Sequence, residues 1–149
     1  MRTLVIGVGN LIRCDDGAGV HVVNRLMERA PHIDTLDVAL GSIEILEAMK
    51  GYDRVYIVDA IQTGAEPGTV FRVNINERED PPPVTHSHGV DLVTTMALGK
   101  RLFPDEMPGE VFIIGIEAED LITLRERCTE RVAGAVETVV EYIISMNKG

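Results

Sequence analysis

Apolar and polar positions alternate between strand-type and helix-type patterns along this chain. Residues 4–8 form a continuous apolar run, as expected for a strand buried on both faces of a parallel sheet. Val20, Val23 and Leu26 then recur at helical spacing, and Pro31 ends that helix. This succession of a buried strand and an amphipathic helix is typical of a parallel sheet with helices packed against it.

The same alternation continues to the end of the sequence. Further strands are expected at residues 35–39, 55–58, 69–73 and 110–115, of which 69–73 alternates in the manner of an edge strand. The last helix carries an apolar stripe between Val132 and Ile143 that packs against the sheet. We therefore predict a single domain over residues 1–149, a three-layer α/β fold with about five mostly parallel strands and helices on both faces.

Composition and charge narrow the classes of partner. The 149 residues include 45% hydrophobic and 26% charged positions, which is ordinary globular composition. The net charge of −10 disfavours nucleic acid and anionic membranes, since both require basic patches. No apolar run approaches the roughly 20 residues of a membrane span, and the chain enters its first strand without a leader pattern. We expect a cytoplasmic protein with reduced thiols and no membrane insertion.

The first strand-to-helix turn has the shape of a nucleotide loop but the wrong charge. Gly7 and Gly9 match the first two glycines of a G-x-G-x-x-G motif, whereas Ile12 occupies the third position. Asp15 and Asp16 then precede the helix. Helix N-termini favour anions, but two carboxylates repel a phosphate and attract a cation. We expect no nucleotide cofactor.

Carboxylates and imidazoles follow several of the predicted strands. Asp15 and Asp16 follow the first strand, Asp59 follows the strand at 55–58, and His86 and His88 lie on the loop that enters the next helix. Ligands of such sheets bind outside the carboxyl ends of the strands. Two carboxylates with an imidazole suit nickel, zinc, manganese or iron. The sequence therefore indicates a candidate metal site, although the residues that would form it are far apart in the sequence.

Each of these residues also has a structural interpretation. Asp15 or Asp16 could cap the following helix, Asp59 could cap a turn, and a histidine on a loop is often simply solvated. Among the other acids, Glu44 and Glu117 are surface residues by default.

Covalent hydrolase chemistry is not indicated. Cys14 stands beside two acids whose negative charge disfavours a reactive thiolate, so we interpret it as structural. The sequence has no Gly-x-Ser-x-Gly elbow.

Six short blocks, in order along nearly the whole chain, resemble the [NiFe]-hydrogenase maturation endopeptidases. They are GVGNL at 7–11, DDGAGV at 15–20, VDA at 58–60, PGT at 67–69, SHG at 87–89 and GIE at 115–117. Members of that family trim a short C-terminal extension from the hydrogenase large subunit after nickel insertion.

The resemblance implies a metal-contacting trio of two acids and one histidine. These roles fall on Asp16, Asp59 and His88, which would also be the catalytic residues. Asp15 and His86 are secondary candidates. His86 competes with His88 because some members carry a Thr-His pair that matches residues 85–86. At residues 39–42 the chain has a different sequence from the Gly-Thr-type segment of the family. We expect this difference to affect the choice of substrate more than the activity.

The function implied is removal of a C-terminal peptide from the nickel-loaded precursor of a [NiFe]-hydrogenase large subunit. The nickel would be supplied by the substrate protein. Two alternatives remain at this point: a metal-dependent hydrolase of small substrates that keeps its own ion, and a nonenzymatic nickel chaperone.

Overall fold

A single mixed sheet forms the centre of the computed structural model, which describes residues 1–38, 42–75, 85–86 and 92–148. Across the sheet, the strands run in the order β2 (Asp34–Val38), β1 (Thr3–Val8), β3 (Arg54–Gln62), β6 (Glu110–Glu117) and β4 (Val70–Asn74). The short strand β5 (Thr85–His86) pairs with β3 off this path. β2, β1, β3 and β6 are parallel, whereas β4 and β5 are antiparallel to their neighbours. The expected mostly parallel sheet of about five strands is confirmed, with β5 as a short addition.

Helices cover both faces of this sheet. They are α1 (Ala18–Arg29), α2 (Ser42–Met49), α3 (Leu92–Leu102) and α4 (Glu130–Met146), and a 3-10 helix (Cys14–Gly17) precedes α1. One buried cluster joins α1 and α4 to alternate strand residues such as Tyr56 and Ile114, and a second joins α2 and α3 to the intervening residues such as Ile57 and Ile113. The predicted three layers are therefore present. Among the described ranges, no helix is both long and apolar enough to cross a membrane.

The end of β3 and the backbone at residues 85–86 differ most from the expectation. The strand predicted to end before Asp59 continues to Gln62, because β6 pairs with it through Ile61 and β5 pairs with Ile61 and Gln62. Residues 85–86, expected on a loop, form this antiparallel pairing. Asp59 therefore lies inside a hydrogen-bonded strand, and its interpretation as a turn cap is wrong.

The strand order reverses between β1 and β3. From β1 the chain passes through α1 to β2 on one side, and it then returns through α2 to β3 on the other side of β1. Such a reversal of strand order is where open α/β sheets bind their ligands. The turn after β1 and the end of β3 lie on the two sides of this reversal.

Two glycines allow the start of α1 to lie directly against the sheet. A Cβ built on Gly19 would lie 2.2 Å from the carbonyl oxygen of Val58, and one built on Gly7 would lie 2.3 Å from the carbonyl oxygen of Gly19. The obstructing atoms belong to the backbone and cannot rotate away. The absence of side chains at these positions therefore allows the start of α1 to approach β1 and β3 this closely.

Replacing Gly19 with alanine is expected to destabilise the protein by about 1–3 kcal/mol, the range of overpacked cores. The matched control is Gly134→Ala in α4, where an added Cβ meets nothing within 4 Å. At that exposed helical position alanine should stabilise by up to about 1 kcal/mol. Urea unfolding of both variants measures the two effects, and equal stability of the variants would contradict the close approach.

Candidate active site

Two buried carboxylates lie at the carboxyl ends of neighbouring strands. Asp16, in the 3-10 helix after β1, is 2% exposed, and its Oδ2 accepts a hydrogen bond from the backbone amide of Asn10 at 3.0 Å. Asp59 is also 2% exposed and stands beside Gly115 of β6 in the parallel register. Since β1 pairs with β3 and the 3-10 helix contacts β3, both carboxylates lie near the point where the strand order reverses. Burying a carboxylate is costly, so such groups are expected to have a specific role.

Helix capping does not explain Asp15 or Asp16. The N-cap of α1 is Gly17, and no side chain makes a capping hydrogen bond there. Arg13 is the N-cap of the 3-10 helix, again without a side-chain capping bond. Neither aspartate therefore occupies the N-cap position of either helix.

Asp15 has a structural function that sequence reasoning did not find. Its Oδ2 accepts hydrogen bonds from the backbone amides of Glu119 and Asp120, each at 2.9 Å. The amide of Thr129 donates to Oδ1 at 2.7 Å and its hydroxyl donates to Oδ2 at 2.8 Å. Asp15 is fully buried, so it ties the 3-10 helix to the segment between β6 and α4, residues 118–129, which we call the β6–α4 loop.

The same junction holds a strained backbone. Cys14 has a φ of 52°, and it is the one non-glycine residue with a positive φ in the part of the chain that the structure describes. Its amide donates to the carbonyl of Arg125 at 2.8 Å. Strained conformations persist where their surroundings over-determine them, and here the β6–α4 loop provides the constraint.

The two histidine candidates differ in what the structure says of them. His86 lies in β5, where it pairs with Ile61, a residue of β3 that follows Asp59 after one intervening position. This register brings the backbone of His86 close to the end of β3 that carries Asp59. His88 lies outside the described residues, as does most of the departure at 39–42. Within the described ranges, no three His, Cys, Asp or Glu residues group closely enough to hold a metal ion.

Glu117 is a further buried carboxylate, which corrects its assignment to the surface. Thr63 donates to it from its amide, at 3.0 Å to Oε2, and from its hydroxyl, at 2.5 Å to Oε1. The position of Glu117 at the end of the apolar strand β6 could have indicated its burial. Its partner Thr63 lies far away in sequence and could not be predicted from local spacing. Glu44 is exposed, as expected.

Cys14 is inaccessible to a substrate, and Cys128 lacks the surroundings of a nucleophile. Cys14 is fully buried, and the guanidinium Nη2 of Arg125 lies 3.4 Å from its Sγ. Burial and, to a lesser extent, the charge of Asp15 raise the pKa of the Cys128 thiol to about 12. A thiol with that pKa stays protonated at neutral pH and is a poor nucleophile. The structural interpretation of Cys14 agrees with its burial.

Comparison with known proteins identifies the family. The sequence model of the family described as hydrogenase maturation protease matches residues 20–146. The chain belongs to this family. The Hydrogenase 2 maturation protease of Escherichia coli (strain K12) is 28% identical to it over 152 residues, covering 97% of this chain and 90% of that protein.

A second relative and a solved structure agree. The hydrogenase expression/formation protein HupD of Thiocapsa roseopersicina is 28% identical over 152 residues, covering 94% of this chain, which spans 66% of the length of HupD. The [NiFe] hydrogenase maturation protease HybD from Thermococcus kodakarensis superimposes with a TM-score of 0.81 at 26% identity, covering 99% of this chain and 100% of HybD. These likenesses confirm the predicted family resemblance and fold. This hydrogenase maturation protease is therefore a peptidase, and the small-substrate hydrolase and nickel-chaperone alternatives are not favoured.

Proposed function

We propose that this enzyme removes a C-terminal peptide from the nickel-loaded precursor of a [NiFe]-hydrogenase large subunit in the cytoplasm. Asp16, Asp59 and His88 contact the nickel, which belongs to the substrate and not to the enzyme. The observation that carries the proposal is the pair of buried carboxylates, Asp16 and Asp59, at the carboxyl ends of the paired strands β1 and β3. The family membership supplies the reaction class.

The donor set suits this role. Carboxylate oxygens with an imidazole nitrogen form a hard-to-borderline ligand set that nickel accepts. Three protein ligands leave coordination positions open, and the precursor's own nickel ligands would fill them. The pairing of His86 with Ile61 places the backbone of His86 near the end of β3, and His88 follows it two positions later in the sequence. His86 is the competing imidazole.

Metal recognition of this kind would act as a specificity device. The binding energy of the correct substrate, the nickel-loaded precursor, would assemble the complete site, in the manner of induced fit. A precursor without nickel would lack the metal ion through which Asp16 and Asp59 contact the substrate. Cleavage would then follow metal insertion and not precede it.

Asp16 is the better of the two adjacent aspartates for activating water at the scissile carbonyl. A general base needs a lone pair within reach of the proton that it removes. Asp15 already accepts hydrogen bonds from Glu119, Asp120 and Thr129 at both oxygens, and it faces the β6–α4 loop. We therefore assign no proton transfer to Asp15.

Intact mass spectrometry of the nickel-loaded precursor tests the proposal. After incubation with this enzyme, the mass should fall by that of one C-terminal peptide, which should itself be detected. The precursor incubated alone is the control. A precursor whose mass is unchanged while its nickel content rises would instead show metal delivery. Cleavage at many positions would show a protease without this specificity.

A further inference from the structure

Two buried carboxylates, Asp15 and Glu117, take no part in the proposed reaction. Asp15 is fully buried and Glu117 is 3% exposed. Asp15 accepts hydrogen bonds from the amide and the hydroxyl of Thr129. Glu117 accepts the same two kinds of bond from Thr63. Burying a carboxylate is costly even when it is hydrogen-bonded, and one attested role of such groups is to select a single arrangement of the chain.

Glu117 fastens the end of β3. Thr63, the first residue after this strand, donates to the carboxylate from its amide, at 3.0 Å to Oε2, and from its hydroxyl, at 2.5 Å to Oε1. Glu117 also stands beside Ile61 in the parallel register, and the amide of Ala118 donates to the carbonyl of Ile61 at 3.0 Å. The end of β3, within four positions of Asp59, is therefore held to the end of β6.

The same end of β3 forms part of the surroundings of Asp59. Side chains at alternate positions of a strand share a face of the sheet, so Ile61 lies on the same face as Asp59. A Cβ built on Gly115, the register partner of Asp59, would lie 2.7 Å from Cδ1 of Ile61. The buried Ile61 side chain therefore covers Gly115 next to Asp59. A shift of the end of β3 would move Ile61 and change the place of Asp59.

The residues that follow β6 bind the element that carries Asp16. The amides of Glu119 and Asp120 donate to Oδ2 of Asp15, each at 2.9 Å. The amide of Asp15 donates in return to the carbonyl of Asp120 at 3.0 Å. Residues 117–120, which we call the bridging segment, therefore contact the end of β3 through their first two members and the 3-10 helix through their last two.

We propose that Glu117 is a positioning residue, which fixes the separation of Asp59 and Asp16 through Thr63 and the bridging segment. This inference rests on the proposed function, in which both aspartates contact the nickel of the precursor. Carboxylates on two different elements can contact one metal ion productively only at a defined separation. A misplacement of about 1 Å by a change outside the reacting groups can cost on the order of 100-fold in rate.

Thr63→Val tests this role with little disturbance of the fold. It removes the hydroxyl that donates to Glu117 and keeps the amide, and Thr63 is exposed, so stability should change little. We expect kcat for trimming of the nickel-loaded precursor to fall about 10-fold, with KM changing less than about twofold. The affinity of a protein substrate is spread over a wide contact, whereas the scissile bond must lie within reach of Asp16. Thr63→Ser, which keeps the hydroxyl, should retain the unmodified kcat.

Glu117→Ala should have the larger effect, a loss of about 100-fold in kcat, because the amide and the hydroxyl of Thr63 both lose their acceptor. Since Glu117 acts through Thr63, adding Thr63→Val to Glu117→Ala should lower kcat no further. Initial rates over a range of precursor concentrations give both constants, at a temperature at which thermal unfolding shows each variant to be folded. If Glu117→Ala does not fold, the two Thr63 variants decide the proposal.

Asn147→Ala is the matched control for loss of a partly buried polar contact. The side-chain amide of Asn147 donates to the carbonyl of Ile143 at 2.7 Å, and its Oδ1 accepts from the hydroxyl of Thr3 at 3.1 Å. Thr3 begins β1, so this contact lies at the opposite edge of the sheet from Asp59. Asn147→Ala should lower stability and leave kcat and KM unchanged, as expected of a contact that only stabilises the fold.

The outcomes separate this inference from the proposed function. If the unmodified enzyme trims no precursor, the proposed function fails together with the inference. If it trims the precursor and the folded Thr63→Val and Glu117→Ala enzymes keep its kcat, Glu117 only stabilises the fold and the positioning role alone is overturned. Losses that multiply in the double variant would show that Glu117 does not act through Thr63, and they would overturn the proposal as well.

Discussion

Asp16→Asn is expected to abolish precursor processing while leaving the protein folded. The amide keeps an oxygen that can accept the hydrogen bond from the backbone of Asn10, so the 3-10 helix retains this contact. The substitution removes the negative charge of Asp16, which we propose binds the nickel of the substrate. The rate should fall by at least about 100-fold, because losing even an indirect partner of a metal ligand typically costs 10- to 100-fold.

Two measurements separate chemistry from stability in this variant. Trimming of the nickel-loaded precursor gives the rate, and urea unfolding should give a free energy within about 1 kcal/mol of the unmodified enzyme. Asp105→Asn, at an exposed position, is the control for loss of one negative charge and should process normally. Asp59→Asn should behave as Asp16→Asn does. A folded Asp16→Asn enzyme with normal processing would remove Asp16 from the mechanism.

Asp15→Ala is expected to have the largest effect on stability, about 3–5 kcal/mol. It deletes a fully buried carboxylate and leaves the amides of Glu119, Asp120 and Thr129 without their acceptor. A hydrogen bond to a charged group contributes about 1.5–3 kcal/mol, and a buried donor left without a partner costs about 1–3 kcal/mol. These terms are not additive, so the total is smaller than their sum.

Urea unfolding with Asp120→Asn as the control measures the effect of Asp15→Ala. Asp120 also accepts hydrogen bonds from Ile122 and Thr123, but in a turn exposed to solvent, where water can replace them. The loss of unfolding free energy should therefore be clearly smaller in Asp120→Asn than in Asp15→Ala. Equal losses in the two variants would contradict the assignment of Asp15 as the buried tie between the 3-10 helix and the β6–α4 loop.

The buried strands and helix faces were predictable because their signal is local. The apolar run at residues 4–8 became β1, and the stripe from Val132 to Ile143 became the buried face of α4. Periodicity follows directly from burial on one or both faces of an element. The end of β3 was misplaced because Asp59 interrupts the apolar run, although strand pairing carries the backbone on to Gln62.

Contacts between residues that are far apart in the sequence determine the features of the site that the sequence alone did not predict. Asp15 and Asp16 are adjacent and chemically identical, and their different surroundings come from different parts of the chain. Asp15 contacts Glu119, Asp120 and Thr129, more than 100 positions away, whereas Asp16 accepts a hydrogen bond from the nearby Asn10. Local spacing contains no information on such contacts. The choice of Asp16 over Asp15 as a metal-contacting residue came from the family resemblance, and the contacts of Asp15 are consistent with it.

The measurement that tests the central claim most directly compares nickel-loaded and nickel-free precursor side by side with the unmodified enzyme. Intact mass spectrometry over a time course follows loss of the C-terminal peptide from each. If Asp16, Asp59 and His88 recognise the nickel of the substrate, only the nickel-loaded precursor is trimmed, and adding nickel to the enzyme alone does not replace loading of the precursor. Trimming of the nickel-free precursor at the same rate would contradict the account.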